Sequence, residues 1–135
     1  MSAHNKALAI RWIEDCWNAR QERTIADLLA PDGVGYLEGG LTIKGPAEFD
    51  AFRREYIAAF PDVSVKIEEI LADGDVVALR WRATGIHQGR IGECDPSGKC
   101  VEVVGSTWLR FRDGKIVEGR DTWNQGAFMA SLRAA

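Results

Sequence analysis

Near the start of the chain apolar residues recur at helical spacing. Leu8, Trp12, Ile13, Cys16 and Trp17 give "MSAHNKALAIRWIEDCWNAR" one aromatic-rich face. A second, short helix over "TIADLLA" is expected to stop at Pro31 and the turn "PDG". "VGYLEGGLTIKG" reads as an irregular or hairpin-like β segment, loosened by its glycines. The clearest helical period lies in "GPAEFDAFRREYIAAFP". There Phe49, Phe52, Tyr56 and Phe60 recur, Pro46 suits the first turn and Pro61 ends the helix.

From Asp62 onward the period changes to two. "VSVKIEEIL" alternates through Val63, Val65 and Ile67 and then carries Ile70. The turn "ADGD" leads into "VVALRWRATGIH", "CDPSGKC" into "VEVVGSTWLRF", and "RDGK" into "KIVEGRDTW". "QGAFMASLRAA" is expected to close the chain as a short helix. Helices followed by antiparallel strands on tight turns predict an α+β fold. A curved antiparallel sheet wrapped around the N-terminal helices makes a cone, and the mouth of a cone is where a small-molecule pocket is expected.

Composition narrows the function. The 135 residues suit one domain, 1–135, and 46% hydrophobic with 27% charged residues is ordinary for a globular chain. Net charge is −3 and the seventeen Lys and Arg are scattered, so a phosphate-tracking surface is not expected and nucleic acid is not the partner sought. No apolar run approaches the roughly 20 residues of a membrane span, and no cleavage site follows the first helix. The expectation is a soluble, cytoplasmic chain. Cys16, Cys94 and Cys100 form no C-x-x-C pair, so neither a disulfide scaffold nor a zinc site is expected and the thiols are read as free. Cys94 and Cys100 flank "DPSGK" and could face each other across it.

The candidate chemistry sits in the last strand. Asp121 and Trp123 are two apart, so a regular strand turns both to one face. A carboxylate against an apolar wall has its pKa raised towards the range useful for removing a proton α to a carbonyl. Trp123, with Trp81 or Trp108 from neighbouring strands, would be that wall. The alternative is a structural carboxylate, capping backbone amides or paired with Arg120 or Arg110. His87 follows Gly85, where strand parity is lost; it is either an acid/base partner or a rim residue fixing "GIHQGR". Tyr36 and Glu38 alternate onto one face of the early β segment. Trp17 is a further candidate for lining the pocket. A Ser106–His87–Asp121 triad is disfavoured, since "VGSTW" lacks a G-x-S-x-G elbow. No phosphate loop or metal-ligand spacing occurs.

Taken together, "FPDVSVKIEEILADGDVVALRWRATGIHQG", "PSGKCVEV" and "F-x-DGKIVE" closely resemble the SnoaL-like polyketide cyclases of the nuclear transport factor 2-like superfamily, from about Trp12 to about Leu132. The resemblance implies a cone-shaped, cystatin-like α+β barrel, usually a homodimer, with an apolar cavity. It implies intramolecular aldol closure with no metal or organic cofactor. It assigns the main acid/base to Asp121 and aligns His87 with the histidine of T-G-x-H-x-G. Steroid isomerases of the superfamily place their base near Glu38, making that residue a runner-up. The chain departs from the pattern at Leu37, where many relatives have a pocket histidine, and at Arg120 and Asn124. The implied function is a cyclase or isomerase acting on an enolisable, hydrophobic, possibly polycyclic or aromatic carbonyl compound. The implied alternative is a non-catalytic ligand-binding or dimerisation domain.

Overall fold

The computed structural model describes residues 2–133. The first helix, α1 (Ser2–Ile13), runs directly into a wider π turn, Glu14–Asn18. Asn18 ends it by pairing with a strand, its amide taking the Val65 N–H at 2.7 Å and donating to the Val65 carbonyl at 2.8 Å. The short α2 (Arg23–Leu28) ends three residues before Pro31, because the chain is already extended there. Pro31 lies inside β1 (Leu29–Tyr36), where the register on the neighbouring strand slips between Leu29 and Val34. A bulge is where a strand tolerates a residue without an N–H. A 3-10 turn, Glu38–Gly40, joins β1 to β2 (Thr42–Lys44), giving the expected hairpin.

Helix α3 (Gly45–Ala59) follows, with Pro46 in its first turn. Then come β3 (Ser64–Asp73), β4 (Val76–Ile86), β5 (Cys100–Arg112) and β6 (Lys115–Trp123), closed by α4 (Gln125–Arg133). The last two residues of the expected terminal helix, Ala134 and Ala135, lie outside the described residues. The phase change in "VSVKIEEIL" has a cause: β3 bulges between Ile67 and Glu69. The bulge lets Ile70 and Ala72 face inward after Val65 and Ile67.

The six strands form one curved, unclosed sheet in the order β2-β1-β6-β5-β4-β3. It is mixed rather than wholly antiparallel, because β1 runs parallel to β6. The helices cover its concave side, α1 against β3 and β4 and α3 against β1 and β2. Two apolar clusters result. The larger joins Trp12, Ile13 and Phe49 to Val77, Leu79, Leu109 and Ile116. The smaller gathers Ala59, Phe60, Ile91, Cys94, Phe128 and Leu132. Cys94 is buried and Cys100 exposed, and both thiols are free. No described helix is long and apolar enough to cross a membrane.

Candidate active site

Between the two clusters the cone encloses a cavity of about 160 Å³. An engineered apolar cavity of about that size accepts a benzene ring. Its wall is almost wholly apolar; Tyr56 and Asp121 are the ionisable side chains on it among the described residues. A train of rings runs along one side. Phe49 stands 6.2 Å from Phe52, Phe52 5.1 Å from Tyr56, Tyr56 6.3 Å from Trp123, and Trp123 5.3 Å from Phe128. The helical spacing in α3 and the parity of β6 produce this line.

Asp121 enters from β6 directly opposite Thr107 of β5. Side chains opposed in this way share a face, and the Thr107 hydroxyl donates to Asp121 Oδ1 at 2.9 Å. Neither Arg120 nor Arg110 reaches the carboxylate. Arg120 pairs with Glu118, and Arg110 with Asp75 and Glu118. The residue as a whole is half-buried, with its accessible part on the cavity wall. Burial pushes the carboxyl up from 3.8 to about 6. The Thr107 hydrogen bond favours the charged form and opposes the rise, whereas the nearby Glu38 carboxylate adds to it.

Other expected residues divide. Trp17, Trp81 and Trp123 line the cavity, as does Trp12. Trp108 does not: it lies on the outer face and is 54% exposed. Thr107 and Leu109 point inward, so strand alternation turns Trp108 out. Tyr36 also faces outward, stacked under the Arg120 guanidinium 4.2 Å from its ring centre. The alternation expected to join it to Glu38 ends with the extended Leu37, because the 3-10 turn starts at Glu38 itself. Glu38 swings to a side depression beside the cavity and accepts the Trp123 backbone N–H at 3.1 Å.

His87 is apart from the cavity. It is fully buried, stacked on Phe60 at 5.3 Å, and Phe60 rather than His87 reaches the cavity wall. Ser97 holds the ring through its backbone N–H, which donates to Nδ1 at 3.1 Å, and through its hydroxyl at 2.9 Å. The chain leaves β4 at Ile86, so His87 follows the loop instead of the strand. The expected pairing of His87 with Asp121 therefore has no geometric support.

Two groups on the wall carry no signal of their own in the sequence. Tyr56 was visible only as one ring of a helical stripe. Thr107 becomes meaningful once the β5–β6 register sets it against Asp121. Among the described residues no three His, Cys, Asp or Glu side chains cluster as metal ligands.

A model of SnoaL-like polyketide cyclases matches residues 7–132. The chain belongs to this family. Three solved structures illustrate the likeness of this SnoaL-like chain to others. One, from Jannaschia sp. CCS1, provisionally named a SnoaL-like polyketide cyclase, superposes with a TM-score of 0.93 at 24% identity, over 99% of this chain and 94% of its own. AclR of Streptomyces galilaeus, provisionally named a hydroxylase, is 32% identical with a TM-score of 0.86, over 98% of this chain and 82% of its own. IdmH of Streptomyces antibioticus, provisionally named a polyketide cyclase, is 26% identical with a TM-score of 0.83, over 96% and 99%. No curated protein matches the chain. The SnoaL-like fold is thus one of the cyclase and isomerase type.

Proposed function

We propose that this chain is a cofactor-independent acid/base cyclase or isomerase acting on an enolisable, hydrophobic carbonyl compound, aromatic in character. The observation that carries the reading is the single carboxylate, Asp121, on an otherwise apolar cavity wall, with a pKa raised to about 6. In that range the carboxylate is mostly ionised at neutral pH yet basic enough to take a proton from carbon. Asp121 removes the proton α to the carbonyl, and the C–H electron pair becomes the enolate. In a cyclase the enolate carbon then attacks a second carbonyl of the same molecule, forming one C–C bond, and the new alkoxide recovers the proton from Asp121. In an isomerase the proton returns to a different carbon. Either sequence balances without a redox partner. Tyr56, the other ionisable group on the wall, is the candidate donor to the enolate oxygen, a role not open to His87, which does not line the cavity.

Deuterium exchange tests this reading. Aromatic ketones and polyketide mimics incubated in D₂O with the protein should lose their α-protons, and Asp121→Asn should abolish that loss. Ligands that bind without exchange would instead support a non-catalytic binding domain, the reading favoured by the seclusion of His87 from the cavity.

The outer sheet face supports a homodimer. Leu71, Val104 and Trp108 are exposed there, set among ion pairs of both signs such as Arg82 with Glu68 and Glu102. A face carrying both signs is suited to meet itself across a two-fold axis. The free thiols suit a reducing compartment such as the cytoplasm.

A further inference from the structure

Asp121 is tied to a second residue that the proposed chemistry does not itself require. Trp81 of β4 donates its indole Nε1–H to Thr107 Oγ1 at 2.9 Å, and the same Oγ1 donates to Asp121 Oδ1 at 2.9 Å. The direction of this chain is fixed by its first member. An indole nitrogen can only donate, so Thr107 Oγ1 accepts from Trp81 and sends its own hydrogen onward. No acceptor other than Asp121 is found for that hydrogen among the described residues.

The backbone is cut to admit the link. Trp81 lies opposite Gly105 in the β4–β5 register, while Thr107 is two residues further along β5. A Cβ on Gly105 would stand 2.6 Å and 2.8 Å from two carbons of the Trp81 ring. Glycine is what lets the indole lie across β5 and reach Thr107. The "VGSTW" motif thus holds two parts of one arrangement, Gly105 and Thr107.

The consequence falls on the two oxygens of Asp121. Were the carboxyl proton on Oδ1, it would point at Thr107 Oγ1 and leave the threonine hydrogen without an acceptor. Oδ2 receives no hydrogen bond from a described residue, and it is not a sealed atom, since among the described residues the sealed, unpartnered side-chain atom is His87 Nε2. We propose that Trp81 and Thr107 form a one-way hydrogen-bond relay that orients Asp121 and reserves its Oδ2 for proton exchange with the ligand. This rests on the reading of Asp121 as the base. Thr107 and Trp81 are positioning residues acting through it.

The charged surroundings of Asp121 are few enough for a clean test. Glu38 comes from the 3-10 turn and Tyr56 from α3. From β1, β4 and β5 the lining residues carry no ionisable side chain. In ¹⁵N-labelled protein, with the Trp81 indole signal assigned by Trp81→Phe, the indole N–H should shift with pH at the same midpoint as the Asp121 carboxyl carbon. In Thr107→Val the indole shift should shrink several-fold, and the carboxyl midpoint should rise by roughly one pH unit on losing a donor to the charged form. Thr107→Ser should restore both. An indole that ignores pH while Asp121 itself titrates near 6 overturns the relay and leaves the base reading standing. So does an indole shift that survives unchanged in Thr107→Val. An Asp121 midpoint near 4 removes the base reading instead.

Discussion

The wall around Asp121 and the plug around His87 are built from the same materials. Each sets a titratable side chain among aromatic rings, Asp121 near Trp123 and His87 against Phe60. Each is held by one hydroxyl, Thr107 for the acid and Ser97 for the imidazole. They differ in access. Asp121 borders a cavity of about 160 Å³, whereas His87 is sealed with its Nε2 unpartnered. Burial beside rings therefore does not by itself mark a reactive group here. The mark is burial together with an open side on which a ligand can stand.

The largest effect that sharpens this contrast is on chemistry. Asp121→Asn should slow α-proton exchange by about 10²–10⁴-fold, as expected for loss of a general base, in an NMR assay of deuterium uptake. His87→Ala should leave the rate within a few-fold of the parent. A comparable loss in both variants would erase the distinction between the two regions.

Next comes the dependence of stability on pH. The folded-state pKa of Asp121, about 6, lies above its reference value of 3.8. Folded protein therefore holds the proton more tightly than unfolded chain, and the stabilisation is fully present below about 4. It is lost as pH rises through 6. The loss is at most about 3 kcal/mol, two units at about 1.4 kcal/mol each. Denaturant titrations across pH 4–7 should show that decline in the parent and a flatter profile in Asp121→Asn, which should be the more stable of the two at pH 7.

His87→Ala should cost about 1–3 kcal/mol, through the lost stack on Phe60 and the freed Ser97 loop. Thermal unfolding reads this directly. The smallest effect is at the outer face. Trp108→Ala should change monomer stability by no more than about 0.5 kcal/mol, while Trp108→Glu should shift the proposed dimer towards monomer in sedimentation velocity.

Much of this could be read along the chain. Periodicity gave α1, α3 and the four long strands, and the change of phase between Ile67 and Ile70 already encoded the bulge in β3. Trp108, expected on the cavity wall, instead turns outward, and its shared parity with Glu102, Arg110 and Arg112 on β5 is the sequence signal for that direction. Two things were hidden. Parity stops where a strand stops, so the directions of His87 after β4 and Glu38 after β1 depended on turns that only tertiary packing sets. Register between strands has no local signal, so Thr107 could not be matched to Asp121, nor Trp81 to Gly105. α2 ends at Leu28 rather than at Pro31, because the chain is already extended there and the bulge in β1 accommodates the proline.

The chemistry of this site rests on Asp121 being a desolvated carboxylate held ready in an apolar cavity. Titrating its carboxyl carbon by ¹³C NMR, with the signal assigned by Asp121→Asn, tests that claim without any knowledge of the ligand. A midpoint at about 6 is the predicted result. A midpoint near or below about 4, the ordinary range of a solvated aspartate, would contradict it.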